Sequence, residues 1–127
     1  MDSNDGLAPE IVALRRTVRD FADREVRPRV KDMEMQEQIS NELIELMGKV
    51  GFFGVALPEK SGGAGLGELG MVVTLEELSR AHVSTALLLT ASSGLAGRII
   101  NVHGSDEQQR SYLGQLASGE LIGSFCL

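Results

Sequence analysis

Val83-Ser84-Thr85-Ala86-Leu87-Leu88-Leu89-Thr90-Ala91-Ser92-Ser93-Gly94-Leu95-Ala96-Gly97 is the stretch whose reading decides the fold. Its fifteen residues carry no charge, and a helix capped at Ser84 and running to Val102 would show Ala, Leu, Ser, Thr or Gly on nearly every face until Arg98. A helix without a polar face is surrounded by protein, so its neighbours must be sought on both sides. His103-Gly104 ends it. The small side chains of Ala91, Ser92, Ser93, Gly94, Ala96 and Gly97 let another helix or a ligand approach closely.

Upstream, residues 68–81 predict a helix with Leu69, Val72, Val73 and Glu76 on its repeat. The loop Ser61-Gly62-Gly63-Ala64-Gly65-Leu66-Gly67 precedes it, with four glycines that permit positive φ. Phe52 to Leu57 form a short apolar run that Pro58 closes. Residues 41–50 predict a helix with Leu43, Leu46, Met47 and Val50 on one face, Ser40 or Asn41 as cap and Gly51 as terminator. The first helix follows Leu7, Ile11, Leu14, Val18, Phe21 and Val26, with Pro9 in the first turn, where it is tolerated. Pro28 lacks an N–H and disfavours helical geometry at Arg27, so a kink or stop is expected before the acidic stretch 32–37.

Downstream, Ser105 and Gln108 have the spacing of a capping box. Gln109, Tyr112, Leu113 and Leu116 then trace the stripe of a further helix that Ser118-Gly119 stops. Leu121-Ile122-Gly123-Ser124-Phe125-Cys126-Leu127 changes character to an apolar extended run. A strand there needs a partner for its backbone groups, and Phe52 to Leu57 is the other candidate. The expected architecture is all-α, an orthogonal or up-down bundle of about five helices over residues 1–120. Residues 121–127 would be the first strand of a β domain absent from this chain.

The formal net charge of −6 and pI near 4.9 argue against a polyanion partner such as nucleic acid. Seven basic residues lie between Arg15 and Lys31, but Asp20 and Asp23 stand four before Arg24 and Arg27, which describes a salt-bridged helix face. The polar amino terminus lacks the pattern of a secretory signal. The uncharged stretch 83–97 stops short of the roughly 20 apolar residues that span a bilayer. A single cysteine fits a reducing compartment, and a soluble cytoplasmic protein is expected.

Gly65-Leu66-Gly67-Glu68-Leu69-Gly70 formally satisfies the dinucleotide fingerprint. That turn must follow its strand at once, and here residues 58–64 intervene; where a ribose-binding acid should stand, Leu87 to Thr90 stand instead. His82 and His103 sit at expected helix ends without a carboxylate or second histidine at ligand spacing, so no metal site is expected. Ser92-Ser93-Gly94 lacks the setting of a nucleophile elbow. Adjacent Glu76 and Glu77 diverge on a helix and cannot flank one bond. Cys126 reads as a buried strand position. No residue of the chain is assigned as catalytic.

Several segments, in order and spacing, resemble the acyl-CoA dehydrogenase family. They are Glu25-Val26-Arg27-Pro28, Gly51-Phe52-Phe53-Gly54-Val55-Ala56-Leu57-Pro58-Glu59, Gly62-Gly63-Ala64-Gly65, Leu75-Glu76-Glu77-Leu78-Ser79-Arg80, Gly104-Ser105-Asp106-Glu107-Gln108-Gln109 and Tyr112-Leu113. The resemblance implies the amino-terminal helical domain of an FAD-dependent enzyme that converts an acyl-CoA thioester to its trans-2-enoyl form. A central β domain, a carboxy-terminal bundle carrying the glutamate base, electron transfer flavoprotein as acceptor and a homotetramer are implied with it. It also implies that Phe125, Cys126 and Leu127 open the segment against the flavin, and that Leu88, Ala91, Ser92 and Leu95 line the acyl channel. Acyl-CoA oxidases and nitroalkane oxidases share this domain; a free-standing helical interaction module of the same fold is the alternative from a different class.

Overall fold

The computed structural model describes residues 4 and 6–126. The amino-terminal layer is α1 (Pro9–Phe21), a π-helical turn Ala22–Val26, a 3-10 turn Arg27–Arg29 and α2 (Val30–Gln36). Pro28 therefore neither stops the helix nor breaks it. Its missing N–H and its ring, which would press on the carbonyl of the preceding turn, are absorbed where the backbone widens to π and then tightens to 3-10. The path ends at Glu37, whose φ of +50° closes α2 in the left-handed region. Of the anticipated stripe Ile11, Val18 and Val26 are buried and Leu14 and Phe21 half-buried, with Ala22 buried beside them, and the Asp20–Arg24 and Asp23–Arg27 pairs form at 3.8 and 2.6 Å.

Helix α3 (Asn41–Lys49) begins at Ser40, whose hydroxyl accepts from Leu43 N–H, and stops before Gly51 at φ +83°. Phe52–Gly54 is a 3-10 turn, so the apolar run after α3 is not a strand. Its carbonyls serve the glycine loop: Ala64 N–H donates to Gly54, Leu66 to Val55 and Gly65 to Leu57, at 2.9, 3.0 and 2.9 Å. Phe52 and Phe53 enter the main core, where Phe52 meets Phe21 edge-on at 4.9 Å.

Helix α4 (Gly67–Ala81) buries Met71, Val73, Thr74, Glu77 and Leu78, whereas Leu69, Val72 and Glu76 face outward. The expected face was therefore off by about one residue's rotation. Residues 69–75 are apolar or glycine at every position but Thr74, so periodicity alone does not choose a side there, and the winning face includes a charge satisfied chiefly by distant partners. At His82 the chain is extended for one residue, and a continuous helical path then runs from Val83 to His103 as α5 (Val83–Leu89), a π-helical stretch Thr90–Gly97 and α6 (Arg98–His103). His82, rather than Ser84, occupies the cap.

This path of 21 residues, mean hydropathy 1.4 over its most apolar window, is long and apolar enough to cross a membrane by length and composition, beyond the shorter uncharged stretch. Here it packs on α4 and on α7 (Asp106–Ser118), with a third of that window buried. Helix α7 carries both halves of the Ser105/Gln108 capping box and ends at Gly119, φ +75°. Leu113 and Leu116 are buried with Leu57 in a second, smaller core, while Tyr112 is 46% exposed and not part of the stripe.

Residues 122–126 have no regular secondary structure, so the strand expected there does not form, and no strand occurs among the described residues. Cys126 is exposed, not buried; Leu127 lies outside the described residues.

Candidate functional site

Of the residues named for the acyl channel, Ser92 touches the terminal segment, two residues before Phe125. Ser92 is fully buried and its hydroxyl accepts from Gly123 N–H at 3.0 Å, fastening the terminal segment across the π-helical stretch. The crossing is close. A Cβ on Gly123 would lie 2.7 Å from that of Ala96 and 3.2 Å from Leu116 Cδ2, so glycine is what permits it. Leu121 N–H donates to Gln115 at 3.1 Å, so the segment is tied to α7 as well.

Beyond this crossing Phe125 is 46% exposed, and neither it nor Cys126 has a backbone hydrogen bond to the described residues. On the helix, Leu88 is half-buried and packs on the main core, Ala91 is half-buried and Leu95 is 42% exposed. The three-four spacing that would align all four on one α-helical face is altered within Thr90–Gly97, because a π turn takes an extra residue. Ser92 consequently turns to the terminal segment, while Leu95 faces out. Leu87, Ile99 and Val102 extend this exposed apolar surface along the helical path.

The glycine loop spends most of its amides on its own closure. Besides the amides of Ala64, Gly65 and Leu66, that of Gly63 donates to Pro58 at 3.1 Å, and that of Gly70 to Leu66 at 3.2 Å. The amides of residues 62–66 are thus engaged in holding the loop itself together.

Two polar clusters escaped sequence reasoning because their partners are distant in the chain. Glu77, with a side chain 1% exposed, accepts from Arg19 Nε and Nη2 at 2.9 and 2.8 Å, from Arg15 at 3.2 Å and from Arg80 at 3.2 Å. The Arg19 hydrogen bonds, against the opposing effect of desolvation and with help from the charges of Arg19 and Arg80, hold its carboxyl below the ordinary carboxylate range. A carboxylate so held is a poor proton acceptor; its chemistry here is to pin α1 to α4. His82 was expected without a carboxylate, yet its Nε2 lies 2.7 Å from Glu34 Oε1 and its Nδ1 2.9 Å from Thr85 Oγ1. It bridges the end of α2 to the α4–α5 joint. No group of three or more metal-type ligands occurs among the described residues.

A family model described as "Acyl-CoA dehydrogenase, N-terminal domain" matches residues 8–120. The chain is similar to the short-chain specific acyl-CoA dehydrogenase of Clostridium acetobutylicum, 37% identical over 127 residues, covering 100% of this chain and 33% of the relative. A chain of the electron transferring flavoprotein structure of Acidaminococcus fermentans superposes with a TM-score of 0.88 at 31% identity, over 96% of this chain and 32% of the other. The Bacillus anthracis acyl-CoA dehydrogenase complexed with FAD gives 0.86 at 30% identity, over 97% and 21%. This chain thus spans a third or less of these proteins' lengths.

Proposed function

Given that the chain belongs to the acyl-CoA dehydrogenase family, as its amino-terminal domain, we propose that it forms one wall of a flavin site. In this reading the whole protein is an oxidoreductase that takes the α proton and β hydride from an acyl-CoA thioester. The observation that supports the reading is the Ser92–Gly123 tie, which fastens the terminal segment to the small-residue stretch of the long helical path two residues before Phe125. FAD, when bound, supplies the hydride acceptor.

The chain's own residues supply position. Phe125 offers a flat apolar surface beside backbone donors that have no partner among the described residues, and Leu127 belongs to the same proposed contact. Leu88, Ala91, Ser92 and Leu95 belong to the proposed acyl wall, in which Ala91 leaves volume for the chain and Ser92 holds the segment that carries Phe125. The proton acceptor is not among these residues, and Glu77 is already held by its arginines. Electron transfer flavoprotein as acceptor, a homotetramer and a reducing, cytoplasmic setting complete the proposal; the similarity to the A. fermentans flavoprotein structure supports the first of these.

Two results test it. The 127-residue chain purified alone, after expression with ample flavin, is expected to be colourless. Stoichiometric yellow flavin on it would contradict a site completed by other polypeptide. In the protein that contains this domain, Ala91→Phe is expected to shift acyl preference toward short chains, lowering kcat/KM for long substrates by about tenfold or more relative to short ones. An unchanged chain-length profile would remove Ala91 from the acyl wall.

A further inference from the structure

Of residues 120–126, all but Gly123 are exposed, so the terminal segment meets the bundle most closely at that glycine. Leu121 N–H is tied to the Gln115 carbonyl at 3.1 Å, and Gly123 N–H to the buried Ser92 hydroxyl at 3.0 Å. Past Gly123, no backbone amide of 124–126 has a hydrogen-bond partner among the described residues. The path of Phe125 and Cys126 is therefore set where Gly123 crosses the long helical path.

Two small residues decide how close that crossing is. A Cβ on Gly123 would lie 2.7 Å from the Ala96 Cβ, 3.2 Å from Leu116 Cδ2 and 3.3 Å from the Ser92 carbonyl oxygen. Two carbon atoms in favourable contact stand about 3.5–4.0 Å apart, so the first distance is a clash. Leu116 Cδ2 ends a side chain and can turn, whereas the Ala96 methyl group is fixed to its backbone. Gly123 is not among the glycines of positive φ, so the contact, and not the backbone conformation, is what disfavours alanine there.

We propose that Gly123 is a positioning residue for the flavin, with Ala96 as its counterpart. Together they let residues 124–126 lie against the long helical path, and so fix where the wall offered to the flavin stands. The inference rests on the proposed flavin contact of Phe125 to Leu127. A methyl group added at Gly123 would lift the segment off the helix. Binding FAD would then require the segment to return against an overpacked contact, which weakens binding by about tenfold or more.

The test uses the whole protein that contains this domain, freed of flavin and titrated with FAD, as wild type, Gly123→Ala and Gly123→Ala/Ala96→Gly. Gly123→Ala is expected to raise the FAD dissociation constant by that factor, to shift the absorption band of the bound flavin and to speed amide exchange across 120–126. Ala96→Gly in the same chain is expected to recover most of all three. An unchanged dissociation constant and flavin spectrum in Gly123→Ala would overturn the proposal. So would a loss that Ala96→Gly leaves uncorrected, because the strain would then not lie at this contact. Wild type that takes up no FAD would instead overturn the flavin reading itself, and this role of Gly123 with it.

Discussion

Glu77→Ala lowers the stability of the fold by about 3 kcal/mol, measured as a fall in the urea midpoint. Removing one partner of a buried ion pair costs about 3–5 kcal/mol because the remaining charge is left without compensation. Here the lower end applies. Arg15, itself buried, keeps Glu76 at 2.8 Å, and Arg19 is 45% exposed and can be rehydrated. Set against a total of about 5–15 kcal/mol for an ordinary domain, the loss would still leave α1 poorly held on α4.

The same residue sets an acid limit. Its carboxyl is depressed in the folded protein, chiefly by the Arg19 hydrogen bonds, and an unfolded glutamate titrates near about 4.3. The folded state therefore binds fewer protons than the unfolded state between those two values. The resulting stabilisation is complete above the unfolded value and is lost as the pH falls through the depressed folded one. Glu77→Gln should abolish that part of the acid dependence. A Glu77→Ala variant within about 1 kcal/mol of wild type, the range of an exposed pair, would mean that solvent screens the cluster.

Gly63→Ala is expected to cost at least about 3 kcal/mol, at the upper end of overpacking penalties. A Cβ at this position would fall within contact distance of the Leu57 carbonyl oxygen and carbon and of the Gly54 carbonyl oxygen, all of them backbone. Those groups cannot rotate away, and Leu57 and Gly54 also accept the hydrogen bonds that close the loop. Gly62→Ala is the control. Gly62 has φ +80° and nothing within 4 Å of the place its methyl group would take, so alanine there meets only the left-handed penalty of about 1–2 kcal/mol. Equal losses of melting temperature in the two variants would show that the loop relaxes and that the close packing of Gly63 is not limiting.

These positions also mark the difference between local and distant information. The amide partners of Gly63, Gly65 and Leu66 all lie within about a dozen residues, and the interruption at 58–64 was enough to reject a dinucleotide turn. The face of α4 was not legible in the same way. Its buried side depends on Glu77, whose partners Arg15 and Arg19 stand 62 and 58 residues away, and a period of apolar residues cannot register a buried charge. The bridge from His82 to Glu34 spans 48 residues, so inspection of the histidine's neighbours missed it. Pro28 carried a true local signal, a strained turn, but whether the strain ends a helix or is taken up by a π and a 3-10 turn depends on how α1 and α2 pack.

Within the candidate site, the small residues of 91–97 and the apolar run 121–127 were apparent individually, although the strand expected of that run does not form among the described residues. Their meeting through Ser92 and Gly123 was not apparent, since a π-helical register depends on hydrogen bonds that no residue pattern specifies uniquely. The amino-acid order determined, by itself, the starts of α3 and α7 and their stops: Ser40, the Ser105/Gln108 box, Gly51 and Gly119 act on backbone groups within a turn of themselves. Only the tertiary structure decided which faces turn inward, where Glu77 finds its arginines and where the terminal segment lies. Those outcomes depend on charges and close contacts that become neighbours only when distant parts of the chain pack together.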